Sequence, residues 1–107
     1  MSIEAYKLMR LRKNGTLGPL FIDAKAVIPV DGGSFLRAKA VRKKGFKFRP
    51  GWHTVSKPYA PHLSKKGRVW VRVLISEYEK HQRPAHQGGL WYTSNWMLVK
   101  EILWSQS

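Results

Sequence analysis

The sequence predicts a mostly β protein, built as one small twisted or partly closed antiparallel sheet of six or seven short strands with little helix. Three observations carry that prediction. Val69, Val71, Val73 and Ile75 place β-branched side chains at a spacing of two, which a strand turns into one uniform core-facing side. Asn14-Gly15 lies between two extended segments and is the strongest hairpin signal in the chain. Further turn signals stand at Asp31-Gly32-Gly33 and Pro50-Gly51. A length of 107 residues suits one domain with one core, 1–107.

Taken in order, Tyr6 to Lys13 reads as a strand, with Lys7, Met9 and Leu11 on one side and Tyr6, Leu8 and Arg10 on the other. Leu17 to Ile22 returns after the Asn14-Gly15 turn, and Pro19 marks it as an edge strand or a bulge. Asp23 to Lys25 reads as a loop and Val27 to Val30 as a short extended piece. The segment Phe35 to Lys44 has helix-like ends in Ser34 and Gly45, but its apolar residues scatter around a helical cylinder. As a strand it puts Leu36, Ala38 and Ala40 on one face, so a strand is expected.

Gly45 to His53 alternates Phe46 and Phe48 with Lys47 and Arg49 before Pro50-Gly51 turns the chain. That pair fits a type II turn, because proline fixes φ at the second position and glycine supplies a positive φ at the third. Pro58 to Leu63 is too rich in proline for a regular strand, leaving room for one helical turn starting at Pro58. Arg68 to Ile75 is the clearest strand, and Glu77 to Gly89 returns to polar residues. Leu90 to Thr93 and Trp96 to Trp104 read as two buried strands, the second with two helical turns as its alternative.

Charge points to the partner. Twenty Lys and Arg face six Asp and Glu, a formal net charge of +14. Between Gly32 and Ser76 there is no acidic residue, yet twelve of the twenty cations lie there. Such a surplus repels itself and is relieved by a polyanion, with nucleic acid the commonest. DNA, RNA or a nucleoprotein complex is the expected partner, and an acidic host protein surface is the alternative.

Other classes are set aside. Without cysteine there is no disulfide, thiol chemistry or thiolate zinc site. The four histidines, His53, His62, His81 and His86, lack ligand spacing, so no metal and no cofactor are expected. No Gly-x-Ser-x-Gly or phosphate-cradling glycine loop is present, and the reading leans away from an enzyme. Charges interrupt every apolar run, and Met1 to Lys7 lacks the layout of a secretory signal, so no membrane contact and a cytoplasmic location are expected.

Two candidate sites follow. The first is a basic-aromatic surface of Arg37, Lys39, Arg42, Lys43, Lys44, Lys47, Arg49, Lys65, Lys66, Arg68, Trp70 and Arg72. Guanidinium groups would meet phosphates there while rings stack on bases. For Trp70 alone, burial in a second apolar layer is the favoured reading, since large rings are mostly buried. The second is a cleft with Arg49 and His53 at its mouth and Trp52 as its wall, with Arg10 and Tyr59 as further members. Its alternative has Trp52 in the core and His53 capping a backbone carbonyl.

The chain also resembles a family of small proteins encoded by bacteriophages and prophages. The likeness rests on Tyr6-Lys7-Leu8, Asn14 to Ile22, Arg49 to His53, Ala60 to Ser64, Lys66 to Trp70 and Gln87-Gly88-Gly89, and it covers nearly the whole length. It implies a phage setting, such as genome handling or the blocking of a host defence complex, and supplies no activity. A fainter similarity is to ADP-ribosyltransferase-like folds, carried by Arg10 or Arg12 and then His53 with Pro58-Tyr59-Ala60. It implies binding of NAD or a related nucleotide. The late acid of that pattern is missing, because His86 and Gln87 stand near its place and Glu101 lies further along.

Overall fold

A computed structural model describes residues 2–18, 27–38, 51–59, 66–87 and 89–104. The strands are β1 (Ser2–Leu11), β2 (Leu17–Gly18), β3 (Leu36–Arg37), β4 (Trp52–Val55), β5 (Arg68–Gln82) and β6 (Leu90–Ile102), with a short 3-10 turn at Ala85–Gln87. All six belong to one sheet, and every pairing is antiparallel. The mostly β, partly closed sheet expected from the sequence is therefore what forms.

β5 is the spine. Along one edge it pairs with β1 from Ser2↔Ser76 to Arg10↔Arg68, and along the other with β6 from Val71↔Ile102 to Gln82↔Leu90. β4 lies on the far edge of β6, from Trp52↔Ser94 to Val55↔Trp91, and it touches back on β1 at Tyr6↔Val55. This returns the sheet towards its start, but through a single residue pair, so the result is ring-like without being a barrel. β2 extends the outer edge of β1 and β3 that of β6.

Inside the curl, Ala5, Met9, Leu17, Ile28, Val71, Val73, Ile75, Tyr92, Met97 and Val99 form one buried cluster. The β-branched face of β5 supplies Val71, Val73 and Ile75, each fully buried. Burial of one such side chain is worth about 1.5–3 kcal/mol. On the outer side, Leu8 and Trp70 make a second apolar layer with Tyr6, Val55 and Leu103 packed against it.

The long strands differ from the short ones expected. Glu77 to Gln82 continues β5 rather than leaving the sheet, and the segments 90–93 and 96–104 are one strand that ends at Ile102. The reason lies at Glu77, whose φ is 53°, opposite Asn95. Ile75 and Tyr78 both face the core, as do Tyr92 and Met97. A regular period of two forbids both spacings, so each strand reverses its faces here while the ladder resumes at Tyr78↔Ser94. A bulge between Arg72 and Val73 adds a further irregularity. Such kinks increase twist and help a sheet curl.

The turn chemistry follows the sequence. At the β1–β2 hairpin, Gly15 has φ 86° and Asn14 Oδ1 accepts from both the Thr16 N–H and hydroxyl, at 3.1 and 2.7 Å. The Arg12 guanidinium donates to the Leu17 carbonyl at 3.1 Å and locks the return. Ile28 bridges Leu17, and the Asp31 N–H donates to the Val99 carbonyl at 2.6 Å. The expected strand over Phe35 to Lys44 is present at Leu36–Arg37, paired with Met97 and Trp96. Of its remainder, Phe35 and Ala38 are not in a strand and 39–44 lie outside the described residues, as do 19–22 of the expected strand Leu17 to Ile22, the loop at Asp23 to Lys25 and 60–63 of Pro58 to Leu63. Among the described residues no helix is long and apolar enough to cross a membrane.

Gly51 enters β4 with φ 108°, and a Cβ there would stand 3.0 Å from the Ser94 carbonyl oxygen. Nothing would crowd one at Gly15. Gly15→Ala should cost about 1 kcal/mol from the left-handed backbone alone. Gly51→Ala should cost about 2 kcal/mol or more, because strain and a backbone clash add. Urea unfolding of both variants checks the order, and an equal loss would remove the clash argument.

Candidate nucleic-acid interface

Of the basic-aromatic surface expected from the sequence, Arg37, Lys66, Arg68, Trp70 and Arg72 lie among the described residues. Lys39, Arg42, Lys43, Lys44, Lys47, Arg49 and Lys65 lie outside them. Trp70 is 2% exposed and packs with Leu8, so its ring is not offered for stacking. Arg72 is committed elsewhere. Its Nε donates to Glu101 Oε1 at 2.8 Å and its Nη1 sits 3.4 Å from Glu4 Oε2, which ties β5 to both neighbours. The hydrogen bond that Arg72 donates to Glu101 raises the guanidinium pKa further, keeping that clamp charged. Arg37 is exposed on β3, with its guanidinium carbon 5.7 Å from the Trp96 ring centre.

What the fold assembles instead is a basic end of the sheet. Arg10 stands directly opposite Arg68, and the Leu11 N–H donates to the Gly67 carbonyl at 3.0 Å. The pairing therefore gathers Arg10, Lys13, Lys66 and Arg68 where β1 ends and β5 begins. Arg10 and Arg68 share the outer face with Leu8 and Trp70, because all four occupy even positions in one regular ladder. Arg10 and Arg68 are thereby cross-strand neighbours of like charge.

Sequence reasoning put Arg10 in a cleft and gave Lys13 no role. The missing information was the β1–β5 register, which no local pattern carries. Arg12, in the same hairpin, is occupied by Leu17 and Thr16.

The cleft residues are not brought together as a cleft. Trp52 packs against the interior cluster and its indole N–H donates to the Leu36 carbonyl at 2.9 Å. His53, the next residue, faces the other way and its ring lies 5.4 Å from that of Trp91. A wall and a mouth on opposite sides of one strand cannot line the same cavity. Tyr59 is 55% exposed beyond the end of β4, and Arg49 lies outside the described residues. The His53 carbonyl is the acceptor here, taking the Lys7 ammonium at 2.7 Å.

A cluster unseen in the sequence surrounds Trp91, itself 4% exposed. Arg83 lies over the ring at 4.2 Å, and His81 approaches it at 4.4 Å while its Nε2 meets Thr93 Oγ1 at 2.8 Å. Arg83 and His81 stand 8 and 10 positions before Trp91 in the chain, and the pairing of β5 with β6 brings them to it. Among the described residues no three His, Asp or Glu groups converge on a metal position.

Lys7 lies between Ala5 and Met9, both fully buried, so its side chain starts on the inner face of β1. Burial lowers its pKa from 10.5 to about 8. The comparisons with known proteins found no match among family models, curated proteins or solved structures.

Two outcomes are expected. Between pH 8 and 10.5 the folded Lys7 has released its proton while the unfolded chain still holds it. Unfolded protein then binds more protons, so stability rises with pH through that window and is lowest below it. Lys7→Met should remove about 1–3 kcal/mol of that alkaline gain, read by urea unfolding at pH 7 and 10 against wild type. Arg72→Ala should cost about 1 kcal/mol, since its partners are half-exposed. Retention on heparin should fall less for Arg72→Ala than for Arg68→Ala, and the reverse order would restore Arg72 to the binding surface.

Proposed function

We propose that this protein binds nucleic acid, alone or within a nucleoprotein complex, through the basic end of its sheet and the flanking basic run. The observation that carries the reading is the Arg10↔Arg68 pair within a chain of net charge +14. Two arginines at paired positions on adjoining strands suit phosphates spaced along a backbone. Each phosphate neutralised releases condensed counterions, so affinity comes largely from salt-dependent electrostatics. Lys39, Arg42, Lys43, Lys44, Lys47, Arg49 and Lys65 add charge of the same sign in the sequence. A phage-type role in genome handling, or in blocking a host defence complex, is the setting we attach to it.

The test is retardation of labelled DNA and RNA across a salt series. Wild type should bind at low salt and lose affinity steeply as salt rises. The double variant Lys66→Glu, Arg68→Glu should bind at least about tenfold more weakly with a shallower salt slope. Unchanged mobility of both nucleic acids at low salt would overturn the reading. A pull-down from host lysate that survives nuclease treatment would point to an acidic protein as the partner.

A further inference from the structure

We infer that the basic end grips single-stranded nucleic acid, with Trp104 stacking on one of its bases. This rests on the nucleic-acid reading above and narrows it to a substrate class. The tryptophans fall into distinct environments. Trp70 and Trp91 are 2% and 4% exposed, whereas Trp104 is 65% exposed. Trp52 and Trp96 are partly buried and have their indole N–H groups bonded, to the Leu36 carbonyl at 2.9 Å and to Glu77 Oε2 at 2.6 Å. Tryptophan carries the largest ring surface of any side chain and is highly buried on average. One left in water is a marked departure.

Its position gives the departure a meaning. Ile102 pairs with Val71, and the Leu103 N–H donates to the Trp70 carbonyl at 2.8 Å. The antiparallel run therefore delivers Trp104 beside the start of β5, where Arg68 and Lys66 stand. Leu103 packs against Leu8 and Trp70, which anchors the residue just before the exposed ring. One sheet end thus carries the paired Arg10 and Arg68 positions, with Lys13 and Lys66 close by in the chain, and the exposed Trp104 one residue beyond the anchored Leu103.

Cations that follow a phosphate chain, combined with an aromatic ring that accepts a base, are the two parts of a single-strand site. In a duplex the base faces are already stacked on one another, so an exposed indole has nothing to receive. Charge alone would serve duplex and single strand alike. The ring is what discriminates.

Tryptophan fluorescence and affinity are to be measured with a thymidine oligomer and with a mixed-sequence duplex of equal length. The oligomer should quench emission and bind more tightly than the duplex. Trp104→Ala should lose about tenfold in affinity for the oligomer together with most of the quenching. Its duplex affinity should stay unchanged, and Trp104→Phe should retain much of the oligomer binding. Near-ultraviolet circular dichroism confirms that the variants stay folded. Salt-dependent binding of both nucleic acids with equal affinity, or quenching that survives in Trp104→Ala, overturns the stacking role and leaves nucleic-acid binding standing. Absence of binding to either probe overturns both readings.

Discussion

The structure depends on β5 being hydrogen-bonded along both edges. β1 takes one edge over Ser2↔Ser76 to Arg10↔Arg68, and β6 takes the other over Val71↔Ile102 to Gln82↔Leu90. Backbone donors and acceptors in a buried strand must be paired, because leaving one unmet costs about 1–3 kcal/mol. That demand explains why β5 runs past its apolar stretch. Glu77, Glu79 and Lys80 keep exposed side chains while their strand stays in the sheet. Side-chain polarity decides which surface is wet, and the ladder decides where the strand ends.

From this spine the two apolar layers follow. The inner face of β5 carries the core, and the outer face carries Trp70, which needs Leu8 beside it to leave water. Beside that layer the outer face carries Glu4, Arg72 and Glu101. Arg72 takes both Glu4 and Glu101. With only six acids in the chain, that clamp concentrates negative charge at one point of the outer face. Arg10 and Arg68, opposite each other at the end of the same ladder, then shape a region of like charge.

Period-two patterning located the inner face of β5 without ambiguity, because Val69, Val71, Val73 and Ile75 are uniform in type. It failed at Ser94-Asn95, where polar residues looked like a break between two strands. There the faces reverse and the pairing continues, with Asn95 Nδ2 donating to Glu77 Oε1 at 3.3 Å and its carbonyl accepting from the Ala38 N–H at 2.8 Å. A local pattern cannot separate a strand that ends from one that reverses its faces. Likewise Trp52 and His53 look like partners because they adjoin in sequence, and a strand sends neighbours to opposite sides.

The amino-acid sequence by itself determined the mostly β class, the Asn14-Gly15 hairpin, the core side of β5 and the cationic surplus. These rest on short-range rules: side-chain alternation, glycine's access to positive φ, and simple charge counting. Only the tertiary structure decided that Leu8 is what covers Trp70, that Arg72 is a clamp, and that Arg10 and Lys13 join Lys66 and Arg68 near an exposed Trp104. Each of those depends on register between strands that lie far apart in the sequence. A strand's own residues say which face a side chain leaves from. What waits on that face is set by long-range pairing.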